Sequence, residues 1–171
     1  MKKISLALAV FCLSLVTACG WHLRGSLNLP ADLTSIDIQG ASPALKDALV
    51  RQLEANGVSV SSNSPYTLAV SDERQESRTA ALGSDALAAQ YEYTSSAQFE
   101  FRNQGGQLIG TPGQVQVMRT VNFDSGEVLG SASEGNLVRG EMTQDLASQL
   151  IRRLSFLART AAKDANGTPA P

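Results

Sequence analysis

The chain has 171 residues, 43% of them hydrophobic and 18% charged, with a formal net charge of -2. That balance fits one globular domain and excludes a disordered or fibrous chain. The surplus of carboxylates excludes a general binder of nucleic acid, so any polyanion has to be met by a local basic patch.

The first segment reads as an export leader. Lys2 and Lys3 precede an uncharged apolar run from Ile4 to Val16, which is shorter than the roughly 20 residues a membrane span needs. Val16-Thr17-Ala18-Cys19 then has the form of a bacterial lipobox. Residues 1–18 are expected to be a signal peptide cut between Ala18 and Cys19. The Cys19 sulfur would take a diacylglyceryl group and its freed amine an acyl chain. An ordinary secretory signal with a chance cysteine is the alternative, but the order of the regions favours the lipobox. Several acyl chains on one residue, each buried CH₂ contributing about 0.8 kcal/mol, make such an anchor effectively permanent. Gly20 stands where Asp would mark retention at the inner membrane, which points to the outer membrane. Cleavage removes Lys2, Lys3 and Cys12, leaving 12 basic against 16 acidic side chains and no free thiol or disulfide.

Along the mature chain, Leu23 to Pro30 reads as an extended lead-in and Ile36/Ile38 as a short strand ending at Gly40. Ser42-Pro43 has the form of an N-cap with proline at the first helical position. Leu45, Leu49 and Leu53 recur at helical spacing up to Asn56-Gly57, a stop signal. Val58 and Val60 are extended. Tyr66, Leu68 and Val70 alternate as a strand, and the charges Asp72, Arg74, Glu76 and Arg78 continue the alternation. Thr79 to Ala89 is expected to be a hairpin connection turning at Gly83-Ser84-Asp85. Next, Tyr91, Tyr93, Ala97, Phe99 and Phe101 share one strand face and Glu92, Thr94, Ser96, Gln98, Glu100 and Arg102 the other, so one face is buried and one is wet. Asn103 to Gly106 is a turn. Val115, Val117, Val121 and Phe123 form the next alternating set. From Gly135 the period becomes helical: Val138, Met142, Leu146, Leu150 and Leu154 recur every four residues, joined by Leu137 and Ile151. Glu141 and Asp145 fall early in this helix and Arg152 and Arg153 late, as the helix dipole favours.

The expected fold is α+β, a two-layer sandwich in β-α-β-β-β-α order. Two helices pack on one face of a mostly antiparallel four- to five-stranded sheet. One domain spans 19–163, and 164–171 is a polar tail.

No catalytic or metal site is expected. His22 is the lone histidine and lies three residues from the anchor, a poor place for a preorganised triad. No zinc motif is present, and the glycines at 105, 106, 110 and 113 lack the lysine and the strand-to-helix setting of a phosphate loop. Asp72, Glu73 and Glu76 among Arg74 and Arg78 read as a salt-laced strand. Arg119 shares strand parity with Val115, Val117 and Val121, so it points to the apolar side. There it either reaches a helix carboxylate such as Glu141 or Asp145 or contacts an anionic ligand.

Cys19-Gly20-Trp21-His22-Leu23-Arg24-Gly25 resembles the start of the LPS-assembly lipoproteins of the LptE family. The likeness continues in Ala89-Gln90-Tyr91, in Arg119 with Phe123-Asp124, in Glu141-Met142, and in Gln149-Leu150-Ile151-Arg152-Arg153-Leu154. The resemblance implies a non-enzymatic domain without a cofactor, plugging the LptD β-barrel of the Gram-negative outer membrane and assisting delivery of lipopolysaccharide to the outer leaflet. It places lipopolysaccharide contacts on basic side chains near sheet loops. Here Gly83-Ser84-Asp85 and Leu129 to Ser133 carry no positive charge, so the candidates are Arg74, Arg78, Arg102 and Arg119. The alternatives are a pilotin-like chaperone or envelope scaffold, and a periplasmic hydrolase, which the missing catalytic constellation disfavours.

Overall fold

A computed structural model of the chain describes residues 29, 33–82, 88–122 and 128–165. The leader, Cys19, the Gly83-Ser84-Asp85 turn, Phe123-Asp124 and residues 166–171 lie outside the described residues.

The elements are β1 (Ser35–Gln39), α1 (Pro43–Ala55), β2 (Ser59–Val60), β3 (Tyr66–Leu82), β4 (Ala88–Asn103), β5 (Gly113–Asn122) and α2 (Val128–Ala165). They form a five-stranded sheet in the order β2-β1-β3-β4-β5. β1 runs parallel to β2 and to β3, whereas β3, β4 and β5 are antiparallel neighbours. The sheet is therefore mixed. Its parallel part follows from β1-α1-β2, since parallel strands need a crossover and the helix supplies it. Both helices lie on one side, as expected.

The ends of α1 are set by local chemistry. The Ser42 hydroxyl accepts a hydrogen bond from the Leu45 N–H at 3.3 Å, and Pro43 opens the helix. Beyond Asn56 the chain leaves through Gly57 at φ +81°, and the Val58 N–H returns to the Leu53 carbonyl. Leu45, Ala48, Leu49 and Leu53 are fully buried. They meet Ile36, Ile38, Leu68 and Phe101 from the sheet within one continuous core.

The long helix begins earlier than its periodicity suggests, at Val128 rather than Gly135. Glycine at 135 usually weakens a helix by about 1 kcal/mol. Here it allows close approach instead, because a Cβ on Gly135 would lie 3.0 Å from the Tyr93 hydroxyl. Glu141 and Asp145 thus sit mid-helix, the first turn holds no acidic residue, and the dipole does not explain these two carboxylates. The buried seam comprises Val138, Met142, Leu146, Leu150 and Leu154, widened by Ala147, Ile151 and Ala158. Leu137 does not join it: the side chain is 64% exposed, one turn before exposed Glu141 on the outward side.

β3 and β4 are also longer than read. Thr79 to Leu82 extend the ladder, pairing Thr79 with Tyr91 and Leu82 with Ala88. Small residues there give no apolar alternation but still complete the backbone hydrogen bonds.

Gly40, at φ +76°, is the tightest point between β1 and β3: a Cβ there would lie 2.2 Å from the Val70 carbonyl oxygen. Gly57 shares the left-handed backbone but has open space around it. Gly57→Ala should cost about 1 kcal/mol from the backbone alone. Gly40→Ala should cost distinctly more, because the strand must also shift. Urea unfolding midpoints of the two variants check this, and equal losses would contradict the packing described.

Candidate functional site

The register of β3 decides which side chains reach which face. Ser71 pairs with Gln98 and Arg74 with Ser96, so Asp72 and Glu73 together oppose Ala97. This is a β-bulge, and Asp72 adopts φ +53°, a conformation aspartate tolerates better than most residues. One extra residue reverses the parity of everything after it. Before the bulge, Leu68 and Val70 face the helices. After it, Gln75 and Ser77 do, because they pair with Ser95 and Tyr93 on the helix side of β4. The expected alternation through Asp72, Arg74, Glu76 and Arg78 is therefore corrected: Arg74, Glu76 and Arg78 lie on the face opposite Leu68 and Val70.

Among the described residues no helix lies on that opposite face. It carries Arg74, Glu76 and Arg78 from β3, Glu92, Thr94, Ser96, Gln98, Glu100 and Arg102 from β4, and Gln114, Gln116, Met118 and Thr120 from β5. Met118, 54% exposed, is apolar, as is Leu82 near the end of β3. Three of the four candidate arginines share this surface, and each holds its own carboxylate. Arg74 Nη2 donates to Asp72 Oδ1 at 2.7 Å, Arg78 Nε to Glu92 Oε1 at 2.7 Å, and Arg102 to Glu100. The bond to Glu92 raises the pKa of Arg78. Gln98 also donates to Asp72. The face is wet, hydrogen-bonded and charge-compensated.

Arg119 lies apart from these. It pairs across the ladder with Tyr93 and reaches α2, where its guanidinium donates to Asp145 Oδ2 at 2.6 Å and to Glu141. Hydrogen bonds to Asp145 first and Glu141 second push its pKa further up. This is the carboxylate-bound alternative of the two that its parity left open.

Sequence reading placed Glu73 in a salt-laced strand, whereas in the structure it is bound to Ser42. Its carboxylate accepts the Ser42 backbone N–H at 3.0 Å and the Ser42 hydroxyl at 2.8 Å, so β3 caps the start of α1 from outside. Nearby, Gln75 Nε2 donates to Thr143 Oγ1 at 3.2 Å, and Arg139 stacks over the Tyr93 ring at 5.1 Å. Ser42, Glu73, Gln75, Arg139 and Thr143 line an open cleft of about 760 Å³ between α1, the bulge and α2. With no apolar residue following Val70 in β3 before Ala80, nothing in the sequence marked the parity change. Among the described residues no group of three or more His, Cys, Asp or Glu could hold a metal ion.

Solved structures share this architecture. The minor lipoprotein from Acinetobacter baumannii matches with a TM-score of 0.62 at 22% identity, covering 74% of this chain and 93% of that one. Lipoprotein B from Nitrosomonas europaea matches with a TM-score of 0.66 at 18% identity, covering 89% and 99%. The fold is thus one found among bacterial lipoproteins. In sequence, the LptE lipopolysaccharide-assembly family model matches residues 32–154. The LPS-assembly lipoprotein LptE of Pectobacterium atrosepticum is 30% identical over 147 residues, covering 82% of this chain and 79% of that one. That of Yersinia pestis is 27% identical, covering 82% and 70%. The chain belongs to the LptE family.

The Arg119–Asp145 bond is half exposed, so its contribution is modest. A double-mutant cycle of Arg119→Gln and Asp145→Asn should give a coupling of about 0.5–1 kcal/mol that shrinks as salt is raised. Additive losses in thermal or urea unfolding would show that the pair is not coupled.

Proposed function

We propose that this protein is a non-enzymatic lipoprotein of the outer membrane that plugs the LptD β-barrel, helps it assemble, and assists insertion of lipopolysaccharide into the outer leaflet. Cys19 carries the lipid and the folded domain stands in the barrel lumen on the periplasmic side. The family supports this reading. The observation that carries it is the uncovered face of β3, β4 and β5, a broad sheet surface of hydroxyls, amides and internally paired charges. Such a surface is unsuited to a greasy interface and suited to the polar, water-bearing interior of a large barrel. No helix among the described residues is long and apolar enough to cross a membrane; in this reading the acyl chains on Cys19 make the attachment.

Lipopolysaccharide phosphates approaching this face must compete with Asp72, Glu92 and Glu100 for Arg74, Arg78 and Arg102. Contacts there are exchanges of one anion for another and gain little from burial.

Two outcomes are expected. Extraction of the acylated protein in mild detergent should recover one large β-barrel protein, identified by mass spectrometry as LptD. Recovery of a secretin ring, or of the lipoprotein alone, would overturn the plug reading. Arg74→Glu with Arg78→Glu should weaken lipopolysaccharide binding in solution, and unchanged affinity would remove both residues from the contact set.

A further inference from the structure

β1 has five residues and β3 has seventeen, so most of β3 outruns its inner neighbour. The ladder between them stops where Gln39 pairs with Ala69. Beyond that pair the chain turns away at Gly40, and Ser42 at the start of α1 is held by Glu73. From Arg74 to Leu82, β3 is bonded to β4 on one side, and among the described residues no strand pairs with its other side. At about 3.3 Å per residue this run is an open edge about 30 Å long. Every second residue of it turns its N–H and C=O away from β4.

Exposed edges are commonly blunted by proline, by bulges or by free charges. The run Arg74 to Leu82 contains no proline and no glycine. Arg74 to Thr79 pair with Ser96 to Tyr91 without a register shift, and the bulge at Asp72 and Glu73 ends the edge rather than interrupting it. Two of the three charges are already held, Arg74 by Asp72 and Arg78 by Glu92. Glu76 forms no ion pair among the described residues. Side chains from Arg74 to Ala80 are exposed, Ser77 and Thr79 on the helix side included. Both faces beside this edge are therefore polar and wet.

We propose that the β3 edge from Arg74 to Thr79 receives an added strand, an extended polar segment of the barrel polypeptide with a lysine or arginine opposite Glu76. Main-chain hydrogen bonds supply the affinity and the alternating side chains the selection. An apolar segment gains nothing on two polar faces, and a cation is favoured where Glu76 stands. The wall strands of the barrel are excluded as donors, because closure bonds each of them on both sides. The donor is a loop folded into the lumen or a terminal extension. The inference rests on the plug reading and adds the edge by which the plug is held.

The test is residue-resolved amide hydrogen exchange of the acylated full-length mature protein, alone and in the barrel complex extracted in mild detergent. In the free protein, amides of one parity between Arg74 and Thr79 should exchange fast. In the complex they should slow by about tenfold or more, the effect of one net hydrogen bond. Outward amides of β5 between Val115 and Val121 should stay fast. Glu76→Lys should lower recovery of the barrel several-fold without moving the protein's own unfolding midpoint, and Glu76→Gln should lower it less. Unchanged recovery with Glu76→Lys overturns the chemistry assigned to the added strand. A recovered complex in which the β3 amides exchange as in the free protein overturns the strand addition and leaves the plug reading standing. Equal slowing along β5 also overturns it, since that marks burial of the whole sheet. Slow β3 amides in the free protein at high concentration put a second copy on the edge and overturn it as well. Recovery of no barrel overturns the plug and the added strand together.

Discussion

At Asp72 and Glu73 the third strand places two residues opposite the single Ala97 of its neighbour, and both carboxylates are put to use. Asp72 turns to the open face and accepts from Arg74 and Gln98. Glu73 turns to the helix side and holds the residue that caps α1 through its N–H and hydroxyl. The bulge joins the layers at one point and sets the register at another. Were the strand regular, Arg74 and Arg78 would be driven into the core, and burial of unpaired guanidinium groups would cost more than a small domain can bear. The polar character of the open face and the docking of α1 both depend on this one insertion.

Much of the two-layer plan is legible from apolar spacing. Ile36 and Ile38, Leu45 to Leu53, Tyr93 to Phe101, Val115 and Val117, and Met142 to Leu154 each show the period of the element they form, and each set is buried. Arg119 is legible for the same reason: a charge among valines of one parity must find a partner on the apolar side. The bulge was not legible, because no apolar residue between Val70 and Ala80 reports which way the strand faces. The start of α2 was hidden by Gly135, whose role is to make room for Tyr93, a contact between elements distant in sequence. Parallel pairing of β1 with β3 follows from the crossover through α1 and leaves no mark on local pattern.

The candidate site divides in the same way. The open face could be read from β4 alone, since Glu92 to Arg102 alternate with the buried aromatics. Its compensation by internal ion pairs was legible only in part: a salt-laced strand around Arg74 was, but Arg78 meets Glu92 only across the ladder. That pairing changes what the face can do. An unpaired row of arginines would draw phosphates from a distance, whereas paired ones present short-range dipoles and hydrogen-bonding groups to whatever lies against them. Among the described residues, arginines without an ion pair gather instead on the late turns of α2, at 152, 153 and 159, and so the two surfaces have different electrostatic reach.

β5 is the exposed edge of the sheet, ten residues long with an unbroken register against β4. Such an edge invites pairing with other chains. The opposite edge needs little defence, since β2 has only two residues. β5 is blunted by three devices. Pro112 stands just before it. Gln149 of α2 donates to the Gln116 carbonyl at 3.2 Å. Arg119 points inward and is held by Glu141 and Asp145, so a strand sliding onto the edge would have to pass a bound charge. The Arg119 cluster is thus less a ligand site than a clasp. It ties α2 alongside the vulnerable strand while the open face of the sheet stays available for a partner surface.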